Sequence, residues 1–216
     1  MFLNRTDAGK RLANKLLAYK NKPGVVLAVP RGGVPVAYEV ARELNLPMEV
    51  ILVKKLGHPM NKEYAIGAVG LEDYFVIPHE DVTDYYIDAE VKHVRERLLG
   101  MKKIFLGDRK PIDPEGKTLI VIDDGIATGN TLMATLRILK KSHPAKILIA
   151  IPVISRQAYE KLSGEADEII ALFIPETFYG VGGFYEDFTQ LTDLQVVDYL
   201  QKLNERVGEG SRESMP

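Results

Sequence analysis

The sequence predicts an α/β domain with a mostly parallel central sheet flanked by helices. Short apolar runs bounded by turn residues alternate along the chain with stretches of helical periodicity. Those runs are near-continuous in Val, Ile and Leu, the pattern of strands covered on both faces. The 216 residues, 46% hydrophobic and 27% charged, are long and apolar enough for one sizeable core.

Each element follows from a local signal. Residues 7–20 read as a first helix: Asp7 suits the N-cap, and Ala8, Leu12, Leu16 and Tyr19 fall at helical spacing. Pro23-Gly24 ends it, and Val25–Val29 follows as a buried strand. Pro30-Arg31-Gly32-Gly33 is a loop, and Pro35 suits the first turn of a helix running to about Leu44. Met48–Val53 reads as a second strand, followed by a polar, irregular stretch from Lys54 to Glu63. Tyr64–Val69 and Tyr74–Ile77 form a hairpin across Gly70–Asp73. Residues 86–106 are a charged helix with Val91, Val94, Leu98 and Met101 on one side. Leu119–Ile122 is the most apolar strand, followed by a Gly/Thr-rich loop and a helix from Thr131 to Lys141. Lys146–Ile151 and Glu168–Leu172 are strands, with a helix over Arg156–Leu162 between them. Residues 174–190 are aromatic and Gly-rich without a clear period, and Leu194–Val207 is a terminal helix. The expected organisation is one domain over residues 1–207 with a small, polar, disordered tail over 208–216.

Composition narrows the function. The formal net charge is −2, from 28 basic and 30 acidic residues, so no basic excess drives nucleic-acid or polybasic membrane binding. The absence of cysteine excludes disulfides, Cys-ligated metals and thiol nucleophiles. The longest apolar run, Ile147–Ile154, is too short to span a bilayer, and charge arrives early at the N-terminus where a secretory signal needs an apolar stretch. The expectation is a cytoplasmic protein acting on small molecules, with neither nucleic acid nor membrane as partner.

In an open α/β sheet, ligands bind at the carboxyl ends of the strands, so loops that follow strands are where chemistry is expected. Leu119–Ile122 runs directly into Asp123-Asp124-Gly125-Ile126-Ala127-Thr128-Gly129-Asn130-Thr131 and then a helix. Gly125 and Gly129 open backbone angles closed to other residues. Small side chains let N–H groups turn toward an anion at a helix start, where the dipole favours negative charge. Thr128 and Thr131 can donate to phosphate oxygens, and Asp123 and Asp124 can accept from a vicinal diol or hold a hydrated Mg²⁺. Helix capping alone explains one Asp and one Thr. It does not explain paired acids, paired glycines and paired threonines in so short a segment.

Residues 119–131 resemble, without a gap, the signature of the type I phosphoribosyltransferases: an apolar strand, two acids, Gly, two variable residues, Thr, Gly, any residue, and Thr or Ser. The resemblance implies that Asp123 and Asp124 face the ribose hydroxyls of phosphoribosyl pyrophosphate (PRPP). It implies that Ala127, Thr128, Gly129, Asn130 and Thr131 cradle the 5′-phosphate. Mg²⁺ would arrive on PRPP, with Asp123 and Asp124 as its only candidate protein ligands. In that family the loop after the first strand binds pyrophosphate, often through a non-proline cis peptide. Arg31-Gly32 is the matching position, with Arg31, Gly32 and Gly33 at the pyrophosphate. A Lys after the second strand contacts pyrophosphate in several members, which points to Lys55 in the pair Lys54-Lys55. His58, Lys62 and Glu63 lie on the following loop, where an active-site lid closes over substrate. A hood built partly from residues 173–190 and the N-terminal segment stacks the acceptor over a core of about residues 20–172. Phe178, Tyr179, Phe184 and Tyr185 are candidates to stack a flat ring, and Asp187 to accept from a ring N–H. Arg31-Gly32-Gly33-Val34-Pro35-Val36-Ala37 and Asp123–Gly129 are similar to a group of phosphoribosyltransferases whose acceptor is unassigned. A homodimer is expected because many relatives form one.

The implied activity is pentosyl transfer from PRPP to a nitrogen acceptor, for example a purine-like base. The catalytic set would be Asp123, Asp124, Lys55 and Arg31. The alternative is a non-catalytic regulator that binds PRPP or a nucleotide on the same fold. A haloacid-dehalogenase-type phosphatase needs its acids separated by one residue after the strand, whereas Asp123 and Asp124 are adjacent, and a P-loop NTPase needs Gly-Lys-Ser/Thr in the loop that follows Leu119–Ile122, which lacks it. A Rossmann dehydrogenase lacks its Gly-x-Gly-x-x-Gly after the first strand.

Overall fold

A computed structural model describes residues 1–62 and 64–212, with backbone alone for 204 and 206–212. The elements, in chain order, are α1 (Arg5–Lys15), β1 (Gly24–Ala28), α2 (Gly33–Leu44), β2 (Met48–Val50), β3 (Val53–Gly57), β4 (Ala65–Gly70) and β5 (Tyr74–Val76). They continue with α3 (Asp84–Phe105), β6 (Thr118–Ile122), α4 (Asn130–Lys140), β7 (Lys146–Val153), α5 (Arg156–Leu162), β8 (Glu168–Phe173) and α6 (Asp193–Arg212). Five strands form a wholly parallel sheet in the order β2-β1-β6-β7-β8. Its central strands β1, β6 and β7 are buried almost throughout. One face packs on α1, α2 and α6 through Leu12, Val40, Leu44, Ile120 and Leu200. The other packs on α4 and α5 through Leu136, Ile149, Ala158 and Leu162. Full burial of each such Leu, Ile or Val side chain contributes roughly 1.5–3 kcal/mol.

The apolar run 48–53 does not make one strand. It is shared between two sheets: β2 ends at Val50, and Val53 opens β3 in a three-stranded antiparallel sheet, β3-β4-β5. Lys54 and Lys55 therefore lie within a strand, opposite Val69 and Ala68, and do not open a loop. Continuous apolarity from Val50 to Val53 hid the change of sheet, because Ile51 and Leu52 are themselves packed into the core. The expected hairpin is present, with Val69 opposite Tyr74. This small sheet buries Leu56, Ile66 and Val69 against Val91, Val94 and Leu98 of α3.

Asn4, not Asp7, caps α1. Asn4 accepts from the Asp7 N–H at 3.0 Å, while Asp7 accepts from the Leu3 N–H at 3.1 Å. The two side chains satisfy two N–H groups at the helix entry and start it earlier than Asp7. At the other end, α6 runs to Arg212, past the expected boundary at Val207. Adding residues to a formed helix is far easier than nucleating one, so Gly208–Arg212 continue the turn. The remainder of the expected tail, 213–216, lies outside the described residues. Phe2 bridges Tyr185 and donates its N–H to the Phe184 carbonyl at 2.8 Å, so the N-terminus packs on the aromatic segment after β8. Among the described residues, no helix is long and apolar enough to cross a membrane.

Candidate functional site

The parallel sheet delivers the two acids at the tip of β6, and their surroundings differ. Asp123 is partly exposed and lies in a cleft of about 660 Å³ between the end of β1, β3, α3 and the start of α4. Its Oδ1 accepts from the Asp124 N–H at 2.8 Å. Close packing, and then the neighbouring Asp124, hold the Asp123 carboxyl well above the usual carboxylate range. Asp124 is buried, and its Oδ2 accepts from Arg5 Nε at 2.8 Å. The Asp124 carbonyl accepts from the Tyr185 hydroxyl at 2.5 Å. Gly32 makes room for the Asp124 carboxylate: a Cβ there would fall 2.0 Å from Oδ2. Asp124 and Arg5 line a second cavity of about 900 Å³, along with Arg31 and Gly32.

The stem of the following loop is fastened to β7. Ile126 donates to Val153 O, Ser155 N–H donates to Ile126 O, and Ser155 Oγ donates to Ala127 O at 2.5 Å. Beyond that stem the loop is open. Among the described residues, no backbone N–H from Ala127 to Leu132 has a protein acceptor. These donors belong to the turn into α4, where helix geometry leaves N–H groups unsatisfied and the dipole is positive. Gly129 adopts φ 70°, a left-handed angle that lets the chain turn into the helix. Thr128 and Thr131 are exposed beside these donors. The structure thus brings together Ala127, Thr128, Gly129, Asn130 and Thr131. It also adds Lys161 from α5, whose Nζ donates to the Asn130 side chain at 2.5 Å. Ser155 also caps α5, accepting from the Ala158 N–H at 3.0 Å. Ser155→Ala should therefore lower stability by about 1–2 kcal/mol, read from the urea midpoint. The loop would also lose its side-chain tie to β7.

The loop after β1 packs against the acids from the other side. Its cis peptide joins Pro30 to Arg31, one bond before the expected Arg31-Gly32. The small residues serve close approach: a Cβ on Gly33 would fall 2.6 Å from Ile122 O and 2.8 Å from Asp123 Cα. Arg31 reaches out, with Nη1 3.8 Å from Asp193 Oδ1. Lys54 and Lys55 both line the cleft with Asp123. Burial, and then the positive charges of Arg97 and Arg31, hold the Lys54 ammonium below the usual lysine range.

The neighbouring segment does not stand open as a lid. Tyr86 of α3 donates to Gly57 O at 2.6 Å, and Lys62 Nζ donates to Tyr86 Oη at 2.7 Å and to Glu90 at 2.8 Å. His58 is buried and faces Asp81 at 3.0 Å, outside the cleft lining. Glu63 lies outside the described residues.

The aromatic segment divides into props and exposed rings. Tyr185 is buried between Phe2 and Phe188, with its hydroxyl committed to Asp124, so no ring face is left for an acceptor. Asp187 is exposed and bonds Thr189 through N–H and Oγ1, away from both large cavities. Phe184 stacks on Phe178, with ring centroids 5.6 Å apart. Phe178 and Tyr179 border a smaller cavity of about 450 Å³ that reaches Ala127 and Arg156. Phe188 lines the second cavity, its ring 3.9 Å beneath the Arg5 guanidinium. Of the residues singled out for the acceptor, Tyr185 is buried, Phe184 is half-buried against Phe178, and Asp187 is exposed at a separate small cavity with Asn4 and Thr189. Arg5, Arg97 and Lys161 were not expected at the site. Arg5 carries no local signal, being 119 positions from Asp124. Among the described residues, no three acidic or imidazole groups gather to hold a metal ion.

The family model "Phosphoribosyl transferase domain" matches residues 3–189. A Mycobacterium tuberculosis protein whose name places it among the phosphoribosyl transferases is 37% identical over 207 residues, covering 94% of this chain and 47% of its own length. The chain thus spans about half the length of that relative. An amidophosphoribosyltransferase of Staphylococcus epidermidis is 27% identical over 147 residues, 68% of this chain and 23% of its own length. Among solved structures, TT1426 from Thermus thermophilus superposes with a TM-score of 0.86 at 35% identity, covering 94% of this chain and 99% of its own. With its parallel sheet, its paired acids at the tip of β6 and a family match over most of its length, the chain belongs to the phosphoribosyl transferase family.

Proposed function

We propose that this chain transfers the 5-phosphoribosyl group from PRPP to a nitrogen acceptor, with purine-like bases as the first class to test, and releases pyrophosphate. One observation carries the reading: the open N–H groups of Ala127–Leu132 adjoin a largely buried Asp123 that reaches a cleft also presenting Lys54 and Lys55. That set suits a phosphate, a ribose diol and a diphosphate on one molecule.

In the transfer, the acceptor nitrogen lone pair bonds to ribose C1′ as the bond from C1′ to oxygen breaks, and its electron pair leaves on pyrophosphate. Asp123 accepts from the ribose hydroxyls and fixes C1′. Asp124, held by Arg5, keeps the tip of β6 in place and presents what remains of its carboxylate to the second cavity. The loop N–H groups and Thr128 and Thr131 hold the 5′-phosphate. Arg31, Lys54 and Lys55 neutralise the charge that develops on the leaving group, which is electrostatic catalysis by preorganised cations. Positioning and exclusion of water supply the rest.

The donor set fits Mg²⁺ as PRPP would bring it. Asp123 and Asp124 are adjacent carboxylates; burial, and then the negative charge of Asp124, raise the Asp123 pKa, and a divalent cation would relieve the second of these. With so few protein oxygens, Mg²⁺ would keep waters and diphosphate oxygens as its other ligands. When bound, the ion would stabilise negative charge on the diphosphate.

The test is calorimetric titration with PRPP and Mg²⁺, followed by a screen of purines, pyrimidines and amines for pyrophosphate release. Binding with release against one acceptor class is the expected result. Binding with no release against any class would favour the non-catalytic PRPP-binding reading. Failure to bind PRPP at millimolar concentration would end the proposal.

A further inference from the structure

We infer that α3 roofs the diphosphate subsite, and that Arg97 on α3, paired with Lys54 on β3, clamps the leaving pyrophosphate. The inference rests on the PRPP reading above and assigns to it a residue from an element outside the two signature loops.

Glu90, His93, Val94, Arg97 and Met101 face the cleft from α3. Their spacing of three, four, seven and eleven residues from Glu90 is one continuous helical stripe. It runs beside the apolar stripe of Val91, Val94 and Leu98 that seats the helix on the small sheet. The helix is thus rigidly mounted, with one edge over the floor that carries Asp123 and Thr131.

Arg97 and Lys54 occupy a particular place. Both line the Asp123 cleft and both line the second cavity, which contains Arg31 and Asp124. They stand where the two spaces meet, with Pro30 of the β1 loop. Among the described residues, neither makes a hydrogen bond or a salt bridge. Other cations near the cleft are committed: Lys62 to Glu90 and Tyr86, and Arg31 in part to Asp193.

Like charges that converge raise the energy of the free protein: after burial itself, Arg97 and Arg31 push the Lys54 pKa down, and Asp193 opposes them only in part. An anion bearing several charges relieves it. A guanidinium meets two phosphate oxygens at once, whereas an ammonium acts as a point charge, so the pair suits two linked phosphoryl groups. The loop at α4 has small side chains and N–H donors and suits a single phosphate ester. The cleft therefore sorts the two ends of PRPP by charge, with the diphosphate under α3.

The experiment uses the full chain and its variants Arg97→Ala and Arg97→Lys, titrated separately with inorganic pyrophosphate and with ribose 5-phosphate. Arg97 is exposed, so unchanged melting curves are expected for both variants. Arg97→Ala should weaken pyrophosphate by about tenfold or more, as loss of a charge-assisted contact implies, and ribose 5-phosphate by less than about twofold. Arg97→Lys should recover part of the loss. Pyrophosphate bound equally by wild type and Arg97→Ala would overturn the clamp and leave the PRPP reading intact. Equal losses for the two ligands would overturn it too, showing only a general field effect. Wild-type protein that binds PRPP but not pyrophosphate would refute the inference alone, and protein that binds neither would refute both.

Discussion

Asp123→Asn is expected to abolish PRPP binding while making the free protein more stable at neutral pH. In the proposed complex the carboxylate would accept charge-assisted hydrogen bonds from the ribose hydroxyls, each worth about 1.5–3 kcal/mol, so the expected loss is about 100-fold or more in affinity. The stability gain follows from the raised pKa. Burial, and then the neighbouring Asp124, disfavour the ionised form of Asp123 in the folded state. A carboxyl whose folded pKa lies above its unfolded value of 3.8 gives its full stabilisation below 3.8, and loses it as pH rises through the folded value. At pH 7 the wild type carries that penalty and the amide does not. The gap in melting temperature between variant and wild type should therefore be widest at neutral pH and close below about pH 3.8. Asp124→Ala should behave in the opposite way. It strands the Arg5 guanidinium, whose side chain is 11% exposed, against a partner that is 13% exposed. Breaking so buried a pair costs about 3 kcal/mol, visible in the urea midpoint. If the two variants moved stability in the same direction, the division of labour between the acids would be wrong.

The stretch from Leu119 to Thr131 was legible because every requirement is local. An apolar strand, two acids, small residues and a helix start must follow one another in the chain, and backbone geometry does the rest. Element order was legible for the same reason, and the hairpin across Gly70–Asp73 formed where alternation and turn residues placed it. What stayed hidden was set by tertiary contact. From Val50 to Val53 the run is apolar throughout, so its division between two sheets left no mark in hydropathy. On α3, Val91, Val94 and Leu98 declare the packed face, while Arg97 reads as solvated until the cleft is seen beside it. Tyr185 reads as a stacking ring but its hydroxyl reaches Asp124, a partner 61 residues away. Arg5 is the extreme case: a charged residue in the first turn of the first helix, and the main restraint on an acid at the centre of the site. The N-terminal helix thereby becomes part of the site's support.

Gly33→Ala is expected to damage fold and site together, because the added methyl group has nowhere to go. Gly33 has an ordinary helical backbone, so space and not dihedral freedom demands glycine there. A Cβ would meet Ile122 O at 2.6 Å, Asp123 Cα at 2.8 Å and Asp123 Oδ1 at 3.3 Å. The first two are backbone atoms of β6 and its tip, and neither can rotate aside as a flexible side chain would. Either α2 lifts away from the sheet, uncovering buried Val34, Val36 and Ala37, or the tip of β6 shifts and carries Asp123 with it. Overpacking in such a place costs about 1–3 kcal/mol, and the upper end is expected here because both obstacles are main chain. A displacement of about 1 Å at the reacting group lowers turnover by about 100-fold. The control is Gly100→Ala on α3, where nothing lies within 4 Å of the new methyl group. Removing a helical glycine there should stabilise the protein by about 0.5–1 kcal/mol. Opposite shifts in urea midpoint for these two Gly→Ala changes, with PRPP affinity falling only in Gly33→Ala, would show that the β1 loop and the tip of β6 act as one rigid unit. An unchanged midpoint in Gly33→Ala would mean that the two loops have slack between them, and that their contact does not set the position of Asp123.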